Sequence, residues 1–569
     1  MDSSDDSGSD FEGFAPEVVA AAEKKLLDLL ELDPNDLSDV DLSDLDFESS
    51  DSEDENDDAS TSNTNQNGDQ WTDRLRRFTI EDFNGTPRPT TILPSDANEI
   101  DFFNLLFPSE LLEKIAEETN RYAESEQEKK GQDPKWRATT AQEIRAYIGI
   151  QIVMGIIVAP NQDMYFSNDS LFKPSGINER ITRDRLDKLN QYFHVSDNSQ
   201  NPRRGQPGHD KLAHVRTIMD VILPKLKSAY NPHKEVSIDE AMIAFTGRLG
   251  FKQYVPLKPT KRGIKVWMRA DPHNGFVNEF QVYTGKEGRT AEKGLGERVV
   301  RDLSRSIWGN YHHIYCDNYF TSIQLFNDLA ENKTYACGTI RTNRKGLPPT
   351  ITKSKLKKQG DVIQMQKGDM VATAWHDKRT VTLLSTNVDP TDTTEVQRKQ
   401  KDGTIINVPC PRVLKIYTQF MNGVDRADQL RSTYSICRKA SKWWKYLFWF
   451  MVDVCICNAF ILMKESTNHV IKTKTGRTRE RTQLEFRIKL AHQLLGDFWG
   501  KRKRESIGER QTQGLFHWPI EMDKKRTCKQ CSKQKIRKEP KTGCEQCNVN
   551  LCVGCFKPYH QERHPELFN

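Results

Sequence analysis

The sequence predicts an α/β protein in which short strand-like runs interleave with helical ones and helical material bounds them on both sides. Three observations carry that reading. "DFFNLLFPSELLEKIAEETNRYAE" and "TAQEIRAYIGIQIVMGI" place apolar residues at three- and four-residue spacing, the signature of one helix face. "EVSIDEAMIAF" (235–245) and "GIKVWMRADPHNGFVNEFQVYTG" (263–285) read as strands, the second as a pair around a turn. "GLGERVVRDLSRSI" then returns to helix before the short buried strand that opens "HHIYCDNYF".

Taken in order, the chain begins with a strong charge asymmetry. Residues 1–70 hold 23 Asp plus Glu against only Lys24 and Lys25, a charge of −21; the remaining 82 basic and 57 acidic residues give +25. An acidic tail on a basic body points to a polyanionic partner for the body, most simply nucleic acid, although such charge also serves solubility. Residues 1–97 carry little to bury and are expected to be disordered, apart from one short amphipathic helix in "PEVVAAAEKKLLDLLELD". "ESSDSEDENDD" offers Ser49, Ser50 and Ser52 to an acid-directed kinase, or is an inert solvated run. The opening "MDSSDDSGSD" is acidic and has no apolar core, unlike a secretory leader.

Residues 98–233 follow as helices, and Thr140 is expected to cap the second long run, with Glu143 completing a capping box. Residues 346–409 are polar with short strand-like pieces and look inserted. "YLFWFMVDVCICNAFILM" (446–463) has the length of a membrane span, but Asp453 and Asn458 interrupt it; a buried helix of a soluble domain is expected, with no membrane partner. "GKRKRE" (500–505) is either a nuclear import signal or a phosphate contact.

Carboxylates mark the ends of the strand-like runs. Asp317 follows Ile314, Tyr315 and Cys316; Asp239 and Glu240 close another such run; Asp425 and Asp428 stand three apart in "FMNGVDRADQLRS", on one face if a helix starts near Gly423. A lone Asp after a strand is commonly a turn residue. Converging, these groups would suit Mg²⁺, which takes a few carboxylate oxygens together with water and phosphate.

Six of the 12 cysteines fall from Cys528 onward, a pattern of a reduced, intracellular chain with a metal site rather than a disulfide framework. Cys528, Cys531, Cys544, Cys547, Cys552, Cys555, His560 and His564 are enough for two tetrahedral Zn²⁺ sites. A cross-brace would group Cys528, Cys531, Cys552 and Cys555 on one ion, with Cys544, Cys547, His560 and His564 on the other. Sequential pairing is the rival, and spacing does not decide between them. Around these ligands Lys524, Lys525, Arg526, Lys529, Lys533, Lys535, Arg537 and Lys538 make a DNA-contacting finger one reading and a stabilising or protein-binding module another.

The set "VSIDEAMIAFTGR", "YCDNYFTS", "NGVDRADQ" and "CRKASKWWKYLFWFMVDVCICNAF", in this order within residues 98–569, resembles the piggyBac transposase family. The resemblance implies an RNase H-like catalytic core (234–345 and 410–435) interrupted by an insertion domain (346–409). It also implies a split, mainly helical DNA-binding and dimerisation domain (98–233 and 436–523), and points the cysteine-rich zinc finger (524–569) toward transposon-end DNA. By position, Asp239, Asp317 and Asp425 match the catalytic Asp triad, and Asp428 the further Asp of the last motif. Trp443 matches a DNA-handling aromatic, with a packed core Trp as the other reading. The implied activity is cut-and-paste DNA transposition by a nuclear homodimer, with two Mg²⁺ per active site and TTAA targets. A domesticated derivative that binds DNA or chromatin without cutting is the alternative, and a RING-like ubiquitin ligase a more distant one.

Overall fold

The computed structural model describes residues 70–565 apart from 168, 170–175, 198, 200, 204, 257, 287–291, 401, 437–438, 441, 473–475 and 500–516. The acidic tail with its serines, the basic run at 500–505, and Cys437 and Arg438 of the "CRK" motif lie outside the described residues. The chain divides into two units, Met1–Gly500 and Lys501–Asn569.

Helices α1 (Glu99–Leu106), α2 (Glu110–Lys130), α3 (Ala141–Ile156), α4 (Arg183–Tyr192) and α5 (Arg216–Ala229) fill the first helical stretch. Thr140 caps α3 by accepting from the Glu143 N–H at 3.3 Å. The expected return bond from the Glu143 carboxylate does not form. That group is buried, and it accepts instead from Arg185 Nε at 2.9 Å and Arg137 at 2.7 Å. Charge pairing of a buried carboxylate outweighs one more neutral cap.

Nine strands form the main sheet: β1 (Glu235–Ala244), β2 (Gln253–Tyr254), β3 (Arg262–Ala270), β4 (Val277–Val282), β5 (His313–Cys316), β6 (Tyr335–Thr339), β7 (Val362–Lys367), β8 (Met370–His376) and β9 (Thr380–Ser385). Its order is β3-β1-β5-β6-β9-β8-β7, with β2 and β4 both pairing the outer side of β3. β4, β3 and β1 run antiparallel, whereas β1, β5 and β6 are parallel. Parallel neighbours need crossovers, and α6 (Leu295–Ser304) and α7 (Ile323–Glu331) lie on those connections. Residues 346–409, expected as an insertion domain, add β7, β8 and β9 to this same sheet through β9–β6 pairing. A short helix, Pro349–Thr352, precedes these strands, and a hairpin follows them, β10 (Thr393–Lys399) with β11 (Ile405–Pro411). Strand-like alternation was legible there; which edge it would join was not.

After β11 come α8 (Arg412–Phe420), α9 (Gly423–Thr433), α10 (Trp443–Lys464) and α11 (Gln483–Leu495). α10 is the one described helix long and apolar enough to cross a membrane, yet 89% of its most apolar window is buried within the protein. Its two interrupting polar residues are satisfied internally. Asp453 pairs with Arg487 of α11 at 3.2 Å, both fully buried, and Asn458 bonds the backbone N–H (3.0 Å) and C=O (2.8 Å) of Val277.

Residues 70–97 depart from the expectation of a disordered region reaching residue 97. Trp71 Nε1 donates to the Gly346 carbonyl at 2.7 Å, and Thr72 exchanges backbone bonds of 2.8 and 2.9 Å with Gln366 of β7. Phe83 packs edge-on against His312, and Arg88–Pro89 pairs with Tyr230–Asn231. The segment is a strap along the body, anchored by aromatics that a reading of bulk charge passes over.

Candidate active site

The register of β1 and β5 builds the acidic site. Their parallel pairing ends at Ile238 opposite Cys316, so the next residues, Asp239 and Asp317, stand side by side. Asp317 follows the end of β5, whereas Asp239, expected to close its run, lies inside β1, which continues to Ala244 along β3. Strand alternation turns Glu240 to the other face, where it meets Lys265 at 3.4 Å. α9 brings the third group. Gly423 lets the start of that helix touch the sheet, since a Cβ there would lie 2.3 Å from Ser237 Oγ and 3.0 Å from the Ala270 carbonyl. Two residues on, Asp425 reaches the same place: Lys258 Nζ lies 2.9 Å from Asp239 Oδ2 and 3.9 Å from Asp425 Oδ1.

Asp317 is a turn residue as well as a member of this group. Its carbonyl accepts from the N–H groups of Phe320 (3.1 Å) and Thr321 (3.2 Å), and its carboxylate from the Tyr319 N–H at 3.3 Å. Burial, with the charges of Asp239 and Glu240, pushes the Asp317 carboxyl up to about 6. Desolvation by surrounding protein atoms also pushes Asp425 up to about 6, with Lys258 opposing and Asp239 adding to the shift. Burial and neighbouring like charge thus disfavour ionisation of both groups, although among the described residues three or more ligand atoms close within 4.8 Å of one another only in the two cysteine-rich sets of the second unit. Asp428, one turn beyond Asp425, is held by Arg431 at 3.0 Å, and that guanidinium stacks over Phe450. Trp443 is half-buried at the start of α10, its ring edge-on to Phe251 at 5.3 Å. Sequence reasoning missed Lys258; a lysine in a proline-flanked loop gives no periodic signal.

The second unit gathers two sets of soft ligands. Cys528, Cys531, Cys552 and Cys555 form one, with the Cys531 sulfur 3.8 Å from Cys552 and 3.4 Å from Cys555. Tetrahedral Zn²⁺ with Zn–S bonds of about 2.3 Å would separate its sulfurs by about 3.8 Å. Burial raises the Cys528 thiol, but backbone N–H donors of Cys531 and Cys552 bring it down to about 7, favouring the thiolate. The other set is Cys544, Cys547, His560 and, unexpectedly, His517. His517 Nδ1 lies 3.4 Å from the Cys544 sulfur and 3.3 Å from that of Cys547. His560 Nδ1 faces the Phe556 carbonyl at 2.7 Å, leaving Nε2 turned toward Cys547. The expected ligand His564 stands beside the group, 3.8 Å from Cys547.

The grouping is therefore interleaved, as in a cross-brace. His517 escaped notice because it precedes the cysteine-rich run; a strand brings it in, Pro519 pairing with Cys544. Lys524, Lys525, Arg526, Lys529, Lys533, Lys535, Arg537 and Lys538 are all exposed, with Lys533 paired to Glu562 and Arg537 to Glu539.

Comparison with known proteins agrees with this architecture. The family described as Transposase IS4 matches residues 98–460. Human PiggyBac transposable element-derived protein 5 is 27% identical over 460 residues, covering 77% of this chain and 83% of the relative. Human PiggyBac transposable element-derived protein 3 is 27% identical over 481 residues, covering 81% and 76%. A cryo-EM structure of a piggyBac transposase synaptic complex with hairpin DNA superposes with a TM-score of 0.63 at 25% identity, covering 83% of this chain and all of that one. With the family match spanning more than half of the sequence and the solved fold agreeing, the chain belongs to the piggyBac-type transposase family.

Proposed function

We propose that this protein is a cut-and-paste DNA transposase whose catalytic residues are Asp239, Asp317 and Asp425, with Asp428 in support. The observation that carries the reading is the convergence of three carboxylates, from the middle of one strand, the end of its parallel neighbour and the first turn of a helix, in a chain of this family. The strand order β4-β3-β1-β5-β6, antiparallel then parallel, fits an RNase H-like core.

The three carboxylates would hold two Mg²⁺, which when bound stabilise the attacking and leaving oxygens of phosphodiester displacement. The chain's own part is positioning: strand pairing fixes Asp239 against Asp317, and Gly423 sets the depth of Asp425. Water attacks the phosphorus at the transposon end and the P–O3′ bond breaks, freeing a 3′-hydroxyl. That hydroxyl gives up its proton, attacks the opposite strand and displaces its 3′-oxygen, closing a hairpin. Water reopens the hairpin by breaking its P–O3′ bond, and the regenerated 3′-hydroxyl gives up its proton, attacks a phosphodiester of a TTAA target and displaces that strand's 3′-oxygen.

The DNA partner is supported by the likeness to a DNA-bound synaptic complex and by the body's +25 charge. Holding two transposon ends calls for a homodimer, and work on chromosomes calls for the nucleus. The exposed lysines and arginines of the finger, its eight or nine soft ligands filled with two Zn²⁺, would grip the end DNA, and Trp443 would sit near its path.

Strand cleavage of end DNA with Mg²⁺ tests the reading: Asp317→Asn should abolish cleavage while end-binding persists, and full cleavage by this variant would falsify it. A second reading is motivated by relatives named as transposable-element-derived proteins: DNA binding without cleavage. Terminal inverted repeats abutting TTAA around the gene separate the two.

A further inference from the structure

Lys258 lies in the loop joining β2 to β3, close between Pro256 and Pro259, whose rings narrow the backbone's choices. The loop is closed at its base by the Val255 N–H donating to the Lys261 carbonyl at 2.8 Å. From there one ammonium touches Asp239 on a strand and approaches Asp425 on a helix, with its side chain only 24% exposed. The third carboxylate, Asp317, feels the same charge. A divalent ion on Asp239 and Asp425 must draw on the oxygens that Lys258 holds. Two cations that close repel, so metal and lysine compete. A DNA phosphate changes the balance by offering the ammonium another anion.

We propose that Lys258 is a positioning residue that exchanges partners. In DNA-free protein it pairs with Asp239 and Asp425 and weakens divalent-ion binding there; on DNA binding it passes to a backbone phosphate, so metal and DNA load together. By linkage, metal then tightens DNA binding by the factor by which DNA tightens metal binding. This rests on the reading of Asp239, Asp317 and Asp425 as the metal-holding set.

The test is a Mn²⁺ titration of the zinc-loaded full chain, followed by the electron paramagnetic resonance signal of free Mn²⁺, with and without a short nonspecific duplex at low salt. Without DNA, Lys258→Met should bind Mn²⁺ about tenfold more tightly than the parent, and the tightening that duplex produces in the parent should largely vanish. Lys258→Arg should keep the parent's behaviour. Lys258→Gln repeats the measurement should the Met variant melt early. Equal Mn²⁺ affinity of parent and Lys258→Met without DNA overturns the exchange. Asp239→Asn separates the two ideas: parent-like Mn²⁺ binding by that variant refutes the metal-holding set itself, whereas its loss beside an unchanged Lys258→Met refutes only the role of Lys258.

Discussion

Asp317 is a buried carboxyl beside like charge, so its ionised form costs the fold stability. Its carboxyl titrates near 6 in the folded chain against an ordinary 3.8, so between those values the folded state binds more protons than the unfolded one. Stability contributed by the neutral form is thus present at low pH and lost as pH rises from about 4 to about 6. Removing that charge should help the metal-free fold: Asp317→Asn should melt about 2–4 °C higher than the parent at pH 7 without divalent ions, with the gap closing toward pH 4. Differential scanning calorimetry across that range checks it, and a variant that melts lower at pH 7 would contradict the crowding of like charges. Asp428, tied to Arg431, should tolerate Asn with a partial loss of cleavage. Asp317 was legible as an acid closing an apolar run, Asp239 lies inside its strand instead, and the grouping of the three was an expectation from the family resemblance. Lys258 was not legible, because a loop's course decides what its side chain meets.

At the scale of elements, α10 and the finger each depend on partners far away in the chain. Asp453 and Arg487 are both fully buried, so Asp453→Ala strands a guanidinium and should cost about 3–5 kcal/mol in urea unfolding of the first unit. A loss under 1 kcal/mol would mean that the Tyr434 carbonyl, 3.0 Å from Arg487, suffices alone. In the finger, metal analysis of the full chain should give two zinc ions, one for each ligand group. His517→Ala should lower retention toward one, and a value still at two would show His564 taking its place. Chelation should unfold this unit, because few apolar residues are buried there. Paired cysteine spacing made the ligands readable. The strand that delivers His517 was invisible without its pairing to Cys544, and the capping bond expected of Glu143 gave way to arginines that only the tertiary fold brings near.

Over the whole molecule, charge is the largest-scale pattern, and the sequence displays it openly. A −21 segment tethered to a +25 body is expected, by its high effective concentration, to compete with DNA for basic surface. Full-length protein should therefore bind duplex DNA more weakly than a chain starting at residue 70, and phosphorylation of Ser49, Ser50 or Ser52 should widen the difference. The gap should narrow as added salt shortens the Debye length below about 8 Å. Binding measured across a salt series decides it: equal affinities at low salt would make the tail a bystander. The starting point matters, since bulk composition set the body's beginning near residue 98, whereas Trp71 and Phe83 already belong to it.

That strap has a consequence for how copies of the chain behave toward each other. β7 ends the main sheet, and Thr72 occupies its outer margin at Gln366. Cut the chain at residue 95 and the one backbone bridge on that margin is lost, leaving the Gln366 amide and carbonyl open to the same groups of a neighbour. Such a truncation should aggregate more readily with rising concentration than a chain beginning at residue 70, a difference that light scattering would read.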